Sequence, residues 1–186
     1  MHPPDPRPEP GYAANCAART IVLIGPTSAG KSTVGEALAR QLGLPFVDSD
    51  QVISEHHGPI PELFATLGEP AFRRIESATI SSLLGDPAIP TVLSVGGGAI
   101  LDPETRRLLS ALTVVWLDTD LEHVLPRLLA RPDRPLLRGD IAEKWERYAS
   151  ARRPLYAELA DLKIDARTGG IEELAETVAQ RLLERS

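Results

Sequence analysis

The sequence predicts an α/β fold in which a parallel β-sheet is covered by helices on both faces. Two observations indicate this fold. Short apolar runs alternate with longer segments of helical periodicity along most of the chain, as in successive βαβ units. The first apolar run, residues 21–24, is continuous (IVLI) rather than alternating, which is typical of a strand buried on both faces of a parallel sheet.

Apolar spacing and chain-breaking residues define the first half of the fold. Val34, Leu38 and Leu42 share one face of a helix predicted over 31–42, and Gly43 ends it. The next predicted elements are a short strand at 46–47 that runs into the polar segment 48–50, and helical structure over 51–84 interrupted around 58–59 and 68–70.

The second half repeats the alternation of strand and helix. An apolar strand at 91–95 is stopped by three glycines, and Asp102 with Pro103 suits the N-cap and first position of the helix that follows. The later predicted elements are a strand at 114–117, helices over 120–130 and 141–159, a strand at 162–165 and a helix over 171–184.

Two segments are expected to lack regular structure. Five of the first ten residues are proline, so residues 1–18 are predicted to form a disordered extension. Residues 19–186 are predicted to form a single domain. Within that domain, the segment 131–140 is rich in arginine, proline and glycine and is predicted to be a mobile lid.

Composition and charge narrow the class of function. The 186 residues carry a net charge of -6 and a pI near 5.3, which argues against a nucleic-acid partner. No apolar run approaches the roughly 20 residues that span a membrane, and none resembles a secretion segment. The single cysteine, Cys16, excludes an internal disulfide. We therefore expect a cytoplasmic protein that acts on small molecules.

The segment 25–32 matches the P-loop pattern G-x-x-x-x-G-K-[ST] between a predicted strand and a predicted helix. Glycines allow the backbone N–H groups to turn toward one point, and the following helix adds its positive dipole end there. Lys31 would reach the β- and γ-phosphates, and the Ser32 hydroxyl would bind magnesium. The pattern predicts a site for ATP with Mg²⁺.

Two carboxylates follow the second predicted strand, where ligands bind in open parallel sheets. One of Asp48 and Asp50 could hold magnesium through water, while the other accepts the proton of a substrate hydroxyl. The alternative is a pair of solvated carboxylates in a turn.

Further polar groups suit an anionic, hydroxylated acceptor. Arg73 and Glu76 are three apart on a predicted helix, so Glu76 could orient Arg73 toward a carboxylate; the alternative is an exposed ion pair. The glycines 96–98 offer backbone N–H groups, or mark only a sharp turn. Four arginines lie in or before the predicted lid and could stabilise a transferring phosphoryl group: Arg127, Arg131, Arg134 and Arg138.

The order of these motifs resembles the shikimate kinase family. The segments GPTSAGKST, DSD, FRRIE, GGGAI, RPLL and RRPLY occur in sequence with compatible spacing between about Thr20 and Asp165. The resemblance implies a nucleoside-monophosphate-kinase-like, three-layer α/β/α P-loop fold with a five-stranded parallel sheet of order 2-3-1-4-5. It also implies a monomer that transfers the γ-phosphate of ATP to the 3-hydroxyl of shikimate.

The resemblance also implies roles for individual residues. Lys31, Asp50 and Arg134 would be catalytic, with Asp50 as the base and Arg134 as the lid arginine. Ser32 and Asp48 would lie on the magnesium side. The nucleotide would contact Gly25, Ser28, Ala29, Gly30, Lys31, Ser32, Thr33, Arg127 and Arg134. Shikimate would contact Asp50, Arg73, Gly97 and Arg152. The family usually has glycine at the position of Ser28.

Two other functions are compatible with parts of the sequence. Gluconate is also a hydroxylated carboxylate and is phosphorylated by kinases of the same fold, although the FRRIE segment and the triple glycine favour shikimate. A non-catalytic nucleotide- or metabolite-binding regulatory module is the other alternative. Such a module has no need of Lys31, Ser32, Asp50 and Arg134 together.

Overall fold

The computed structural model describes residues 19–85, 89–130 and 140–185, which form a parallel β-sheet with helices on both faces. The strands are β1 (Ile21–Ile24), β2 (Phe46–Asp48), β3 (Val92–Ser94), β4 (Thr113–Asp118) and β5 (Leu162–Asp165). They lie in the order β2-β3-β1-β4-β5, and each neighbouring pair is parallel. The predicted fold class and strand order are therefore confirmed.

Helices connect consecutive strands, as parallel pairing requires. Those of the described residues are α1 (Lys31–Leu42), α2 (Ser49–His57), α3 (Ile60–Leu67), α4 (Glu69–Leu83), a 3-10 turn (Ala99–Leu101), α5 (Pro103–Leu109), α6 (Leu121–Leu129), α7 (Ile141–Leu159) and α8 (Ile171–Leu183). None of these helices is long and apolar enough to cross a membrane.

The core lies in two layers, one on each face of the sheet. Side chains of a strand alternate between faces, so Ile21 and Leu23 pack with α1 and α8. Val22 and Ile24 face the opposite layer, which contains buried residues of α4, α5 and α7. Because β1 is buried on both faces, its carboxyl end and the loop after it are firmly anchored.

Helix ends follow capping rules, and two of them correct the sequence prediction. Asp48 accepts a hydrogen bond from the Asp50 N–H at 2.9 Å, so α2 begins at Ser49 and includes Asp50 in its first turn. The second predicted interruption is confined to Gly68, because Glu69 and Pro70 already lie in the first turn of α4. Proline is tolerated there, since the N–H groups of the first turn have no acceptor within the helix.

Two predictions fall on parts of the chain outside the described residues. These are the disordered extension over 1–18 and the lid at 131–139. Residue Asp140, the last of the predicted lid, is the N-cap of α7 and accepts from the Glu143 N–H at 2.9 Å.

Candidate active site

A cleft of about 670 Å³ opens at the carboxyl ends of β1, β2 and β3, where the fold places ligands. It brings together the P-loop and most of the predicted acceptor residues. Its wall includes Pro26, Thr27, Ser32, Asp48, Asp50, Arg73, Glu76, Gly96, Gly97, Gly98, Trp145 and Arg152. The segments from which the sequence predicted an ATP site and an acceptor site therefore line the same cleft.

The loop between β1 and α1 turns sharply at its first glycine. Gly25 has a φ of 144°, and a Cβ on it would lie only 2.5 Å from the Leu117 carbonyl oxygen. Lys31 is 9% exposed, and its Nζ donates to the carbonyl oxygens of Gly25 and Pro26, each at 3.0 Å. The ammonium is therefore held inside the loop, where phosphate oxygens would compete with these carbonyls.

The tip of the loop contains an unusual backbone conformation. Ser28 has a φ of 67°, and among the described residues it is the only non-glycine residue with positive φ. This left-handed conformation costs an ordinary L residue about 1–2 kcal/mol. Next to it, Ala29 packs its side chain in the core and donates its N–H to the Pro26 carbonyl oxygen at 3.2 Å. Gly30, at φ 93°, then caps α1.

Two oxygen ligands lie side by side at the start of α1 and the end of β2. The Ser32 hydroxyl donates to Asp48 Oδ2, while Asp48 Oδ1 accepts from the N–H groups that begin α2. Magnesium prefers oxygen ligands and is usually bound by one or two protein side chains together with phosphates. Ser32 and Asp48 therefore fit this ion. Thr33, the next predicted nucleotide contact, is exposed in the first turn of α1.

Two carboxylates converge beside Gly96. A Cβ on Gly96 would overlap Glu76 Oε1 and would lie 2.8 Å from Asp50 Oδ1, so glycine is needed for both to reach this point. Glu76 is 2% exposed, whereas Asp50 is half-buried at the edge of the cleft. Burial raises the pKa of Glu76 to about 7; the charge and hydrogen bond of Arg73 oppose this rise, and the charge of Asp50 adds to it.

Arg73 is held in place from several sides. Its Nη1 lies 2.7 Å from Glu76 Oε2 and its Nη2 lies 3.0 Å from Glu69 Oε1, so the pairing with Glu76 expected from helical spacing is present. The guanidinium lies against Gly98 and 5.4 Å from the centre of the Phe72 ring. Its Nε is buried without a hydrogen-bond partner among the described residues. Arg73 therefore has a fixed orientation, and one of its N–H donors has no partner among the described residues.

One face of α7 contacts both halves of the cleft. The Tyr156 hydroxyl and Arg152 Nη1 donate to the Gly97 carbonyl oxygen, at 2.5 and 3.3 Å. Burial raises the pKa of Tyr156 to about 12, so this hydroxyl stays protonated. About three turns before Tyr156 in the same helix, Trp145 Nε1 donates to the Thr27 carbonyl oxygen at 2.9 Å. The helix thus fixes the triple-glycine loop at one end and the P-loop at the other.

The remaining predicted arginines divide between described and undescribed parts of the chain. Arg127 lies beside the P-loop, since its Nη1 is 3.5 Å from the point that a Cβ on Gly30 would occupy. Its Nη2 donates to the His123 carbonyl oxygen at 3.2 Å. Arg134, together with Arg131 and Arg138, lies outside the described residues.

No role was predicted from the sequence for Trp145 or for Tyr156, the last residue of the RRPLY segment. A signal for both was available, because the buried residues of α7 recur at helical spacing on one face: Trp145, Ala149, Arg152 and Tyr156. Since Arg152 was already a candidate ligand, its neighbours on that face were also candidates for the cleft.

Comparisons with known proteins agree on one family. The sequence model of the shikimate kinase family matches residues 27–183. A shikimate kinase from Paramagnetospirillum magneticum is 46% identical over 169 residues, which cover 89% of this chain and 83% of the relative. The match extends from the P-loop through α8.

Solved structures give the same picture. A shikimate kinase from Acinetobacter baumannii in complex with shikimate superposes with a TM-score of 0.88 at 35% identity, covering 94% of this chain and 98% of that chain. A gluconokinase from Sinorhizobium meliloti superposes with a TM-score of 0.62 at 21% identity over 91% of this chain and 95% of that chain. The second likeness extends to the fold alone.

Proposed function

This chain belongs to the shikimate kinase family, and from that membership we infer that it transfers the γ-phosphate of ATP to the 3-hydroxyl of shikimate. The products are shikimate 3-phosphate and ADP, in the chorismate route to aromatic amino acids. The observation that carries this function is the family match over residues 27–183, which includes most of the P-loop and all of the acceptor residues.

We propose that residues 25–33 bind the phosphates of ATP, with Lys31 neutralising charge on the β- and γ-phosphates. The buried position of the Lys31 ammonium inside the loop supports this role. Arg127, beside Gly30, is proposed to lie near the adenine. Arg134 is proposed from the sequence as the lid arginine that contacts the transferring phosphoryl group.

The acceptor is proposed to bind in the part of the cleft between α4 and α7. Arg73 and Arg152 are the carboxylate clamp, since both line the cleft and their guanidinium groups are held by neighbouring residues. The Gly97 N–H is proposed to donate to a shikimate oxygen. The hydrogen bonds from Tyr156 and Arg152 to the Gly97 carbonyl oxygen support this role of Gly97, because they fix the position of the triple-glycine loop.

Asp50 is proposed as the base. Its carboxylate accepts the proton of the 3-hydroxyl while the hydroxyl oxygen forms a bond to the γ-phosphorus. The bond from that phosphorus to the β–γ bridging oxygen breaks, and ADP leaves with the electron pair. Two observations support Asp50: it lines the cleft, and its Oδ1 lies next to Gly96, another residue of the cleft wall.

Ser32 and Asp48 are proposed to hold Mg²⁺, which when bound neutralises negative charge on the β- and γ-phosphates. The hydrogen bond between Ser32 and Asp48 Oδ2 supports this pairing, because it brings both oxygens to one place next to the P-loop. We further propose that the enzyme acts as a monomer in the cytoplasm, where ATP is supplied; sedimentation of the purified chain tests the monomer.

The test is an ADP-release assay with shikimate as acceptor and gluconate as comparator. We expect ATP- and Mg²⁺-dependent turnover of shikimate, with the product identified as the 3-phosphate. Turnover of gluconate alone would overturn the proposed substrate. Tight ATP binding without turnover of either acceptor would instead indicate a non-catalytic module.

The role of Asp50 is tested by Asp50→Asn, which keeps the shape of the side chain and removes its basicity. We expect kcat to fall by about 10²- to 10⁴-fold with little change in the KM for ATP. Glu55→Gln, an exposed carboxyl on the same helix, is the control and should leave kcat unchanged. A near-normal kcat for Asp50→Asn would exclude it as the base.

A further inference from the structure

The P-loop is tied to α7 by a hydrogen bond from an indole. Trp145 Nε1 donates to the Thr27 carbonyl oxygen at 2.9 Å, across 118 positions of sequence. The indole is 2% exposed and packs against Val124 and Leu128 of α6 and Ala149 of α7. Since the ring is fixed by this cluster, its N–H points in a fixed direction.

The bonded carbonyl controls a specific N–H of the loop. In a trans peptide the C=O of one residue and the N–H of the next point in opposite directions. Because Thr27 O points at α7, the Ser28 N–H points away from α7. P-loops bind phosphates with backbone N–H groups of this segment. The bond from Trp145 therefore sets the direction of one such N–H.

The same peptide carries the strain at Ser28. The angle φ describes rotation about the bond from the Ser28 nitrogen to its Cα, and it is 67° here, in the left-handed region. Relaxation to negative φ requires the peptide between Thr27 and Ser28 to rotate against the rest of the loop. Such a rotation would turn the Thr27 carbonyl away and break its bond to Trp145.

We propose that Trp145 is a positioning residue that holds the peptide between Thr27 and Ser28 in the phosphate-binding orientation, against the preference of Ser28 for negative φ. The proposal rests on the ATP site proposed above. A glycine at position 28 would adopt the left-handed conformation without strain, so it would have less need of this bond. The indole N–H thus compensates for serine at this position.

The experiment measures the Kd for ATP of Trp145→Phe, which keeps the aromatic packing and removes the N–H donor. The matched control is Trp116→Phe. Trp116 is also buried beside the loop, with its Cδ1 3.5 Å from the point that a Cβ on Gly25 would occupy, but its Nε1 has no hydrogen-bond partner among the described residues, so this variant reports the loss of indole bulk without the loss of a hydrogen bond. We expect Trp145→Phe to raise the Kd for ATP about threefold to tenfold, the effect of one hydrogen bond, and Trp116→Phe to leave it unchanged. The KM for shikimate should change less than the Kd for ATP.

The distinguishing measurement is the double variant with Ser28→Gly. The loss of ATP affinity caused by Trp145→Phe should shrink to less than about twofold when residue 28 is glycine, because no strain then favours rotation of the peptide. An equal loss in both backgrounds, equal effects of the two tryptophan variants, or unchanged affinity in Trp145→Phe would each overturn the proposal. If the wild-type chain itself does not bind ATP, the proposed ATP site fails first, and the proposal with it.

A second measurement needs no change at Trp145 and covers the case in which Trp145→Phe does not fold. The chain has two tryptophans, so its NMR spectrum contains two indole N–H resonances, and Trp116→Phe assigns them. The Trp145 resonance should shift when ADP is added. A Trp145 resonance that is insensitive to ADP would contradict the proposed coupling to the phosphate loop.

Discussion

The Glu76 carboxylate lies 2.7 Å from the Arg73 guanidinium and is almost fully withdrawn from solvent, at 2% exposure. This pair differs from an ordinary ion pair on a helix surface, which contributes little. Its position at the wall of the cleft lets Glu76 fix the direction of Arg73. Because removal of one partner would leave the other charge buried, the two residues act as a unit.

The buried carboxyl of Glu76 predicts a pH dependence of stability. Burial raises the pKa of Glu76 to about 7 from an ordinary value of 4.5, so between these values the folded state binds more protons than the unfolded state. The contribution of Glu76 to the free energy of unfolding is fully present below its pKa in the unfolded chain. It is lost as the pH rises through the folded-state pKa of about 7, and the loss is on the order of 3 kcal/mol.

Glu76→Gln tests this dependence, because glutamine does not titrate. From urea unfolding, the free energy of unfolding should fall less steeply between pH 5 and 8 in Glu76→Gln than in the wild-type protein. Glu55→Gln is the control, since Glu55 is exposed, and it should keep the wild-type slope. Identical slopes for Glu76→Gln and wild type would show that Glu76 titrates normally in the folded protein.

The carboxylate clamp predicts a selective defect in Arg73→Ala. We expect the KM for shikimate to rise by about 10- to 100-fold, because a charge-assisted hydrogen bond is lost, while the KM for ATP changes little. Arg74→Ala removes an exposed arginine from the next position of the same helix and should leave both values unchanged.

A substrate variant separates the clamp from a general structural defect. The methyl ester of shikimate lacks the negative charge, so its affinities for wild type and Arg73→Ala should be similar. If Arg73→Ala weakened binding of the ester as much as that of shikimate, or raised both KM values equally, Arg73 would not be the carboxylate ligand.

Sequence patterns alone predicted the alternation of strands and helices and the P-loop segment, whereas the strand order was implied by the resemblance to the shikimate kinase family. The strands β1, β3 and β4 lie in local apolar runs, β5 alternates apolar and charged residues, and the P-loop is a contiguous pattern with its own stereochemical requirements. Local rules also placed the N-cap at Asp102, which accepts from the Thr105 N–H at 2.8 Å. These features depend on neighbours within a few positions, which the sequence displays directly.

Contacts between distant segments were beyond the reach of the sequence patterns. Helical spacing paired Arg73 with Glu76 but gave no indication that Glu76 is buried, since its burial depends on Gly96 after β3. The bond between Trp145 and Thr27 joins elements that are 118 positions apart. Periodicity identifies which face of α7 is buried, but the group that this face contacts is determined by tertiary packing.

The convergence of carboxylates at Gly96 predicts that this position does not accept a side chain. Gly96→Ala would place a Cβ against Glu76 Oε1 and 2.8 Å from Asp50 Oδ1, so both carboxylates must move. We expect the KM for shikimate to rise at least about tenfold and kcat to fall, because small displacements of catalytic groups have large effects.

Gly170→Ala is the matched control for that substitution. Gly170 has a φ of -80°, and a Cβ there would meet nothing within 4 Å. Its kinetic constants should equal those of the wild-type enzyme. Wild-type kinetics in Gly96→Ala would mean that Asp50 and Glu76 do not need their observed positions for catalysis.

The left-handed backbone of Ser28 predicts that Ser28→Gly stabilises the protein. Glycine removes a strain of about 1–2 kcal/mol, although it also adds about 0.5–1 kcal/mol of entropy to the unfolded chain, so the net gain should lie between about 0 and 1.5 kcal/mol. Urea unfolding should show a higher midpoint with an unchanged m-value. Ser81→Gly, in the exposed interior of α4, should shift the midpoint in the opposite direction, because φ is helical there and glycine is a poorer helix former. A loss of stability in both variants would mean that Ser28 does not hold the left-handed conformation in solution.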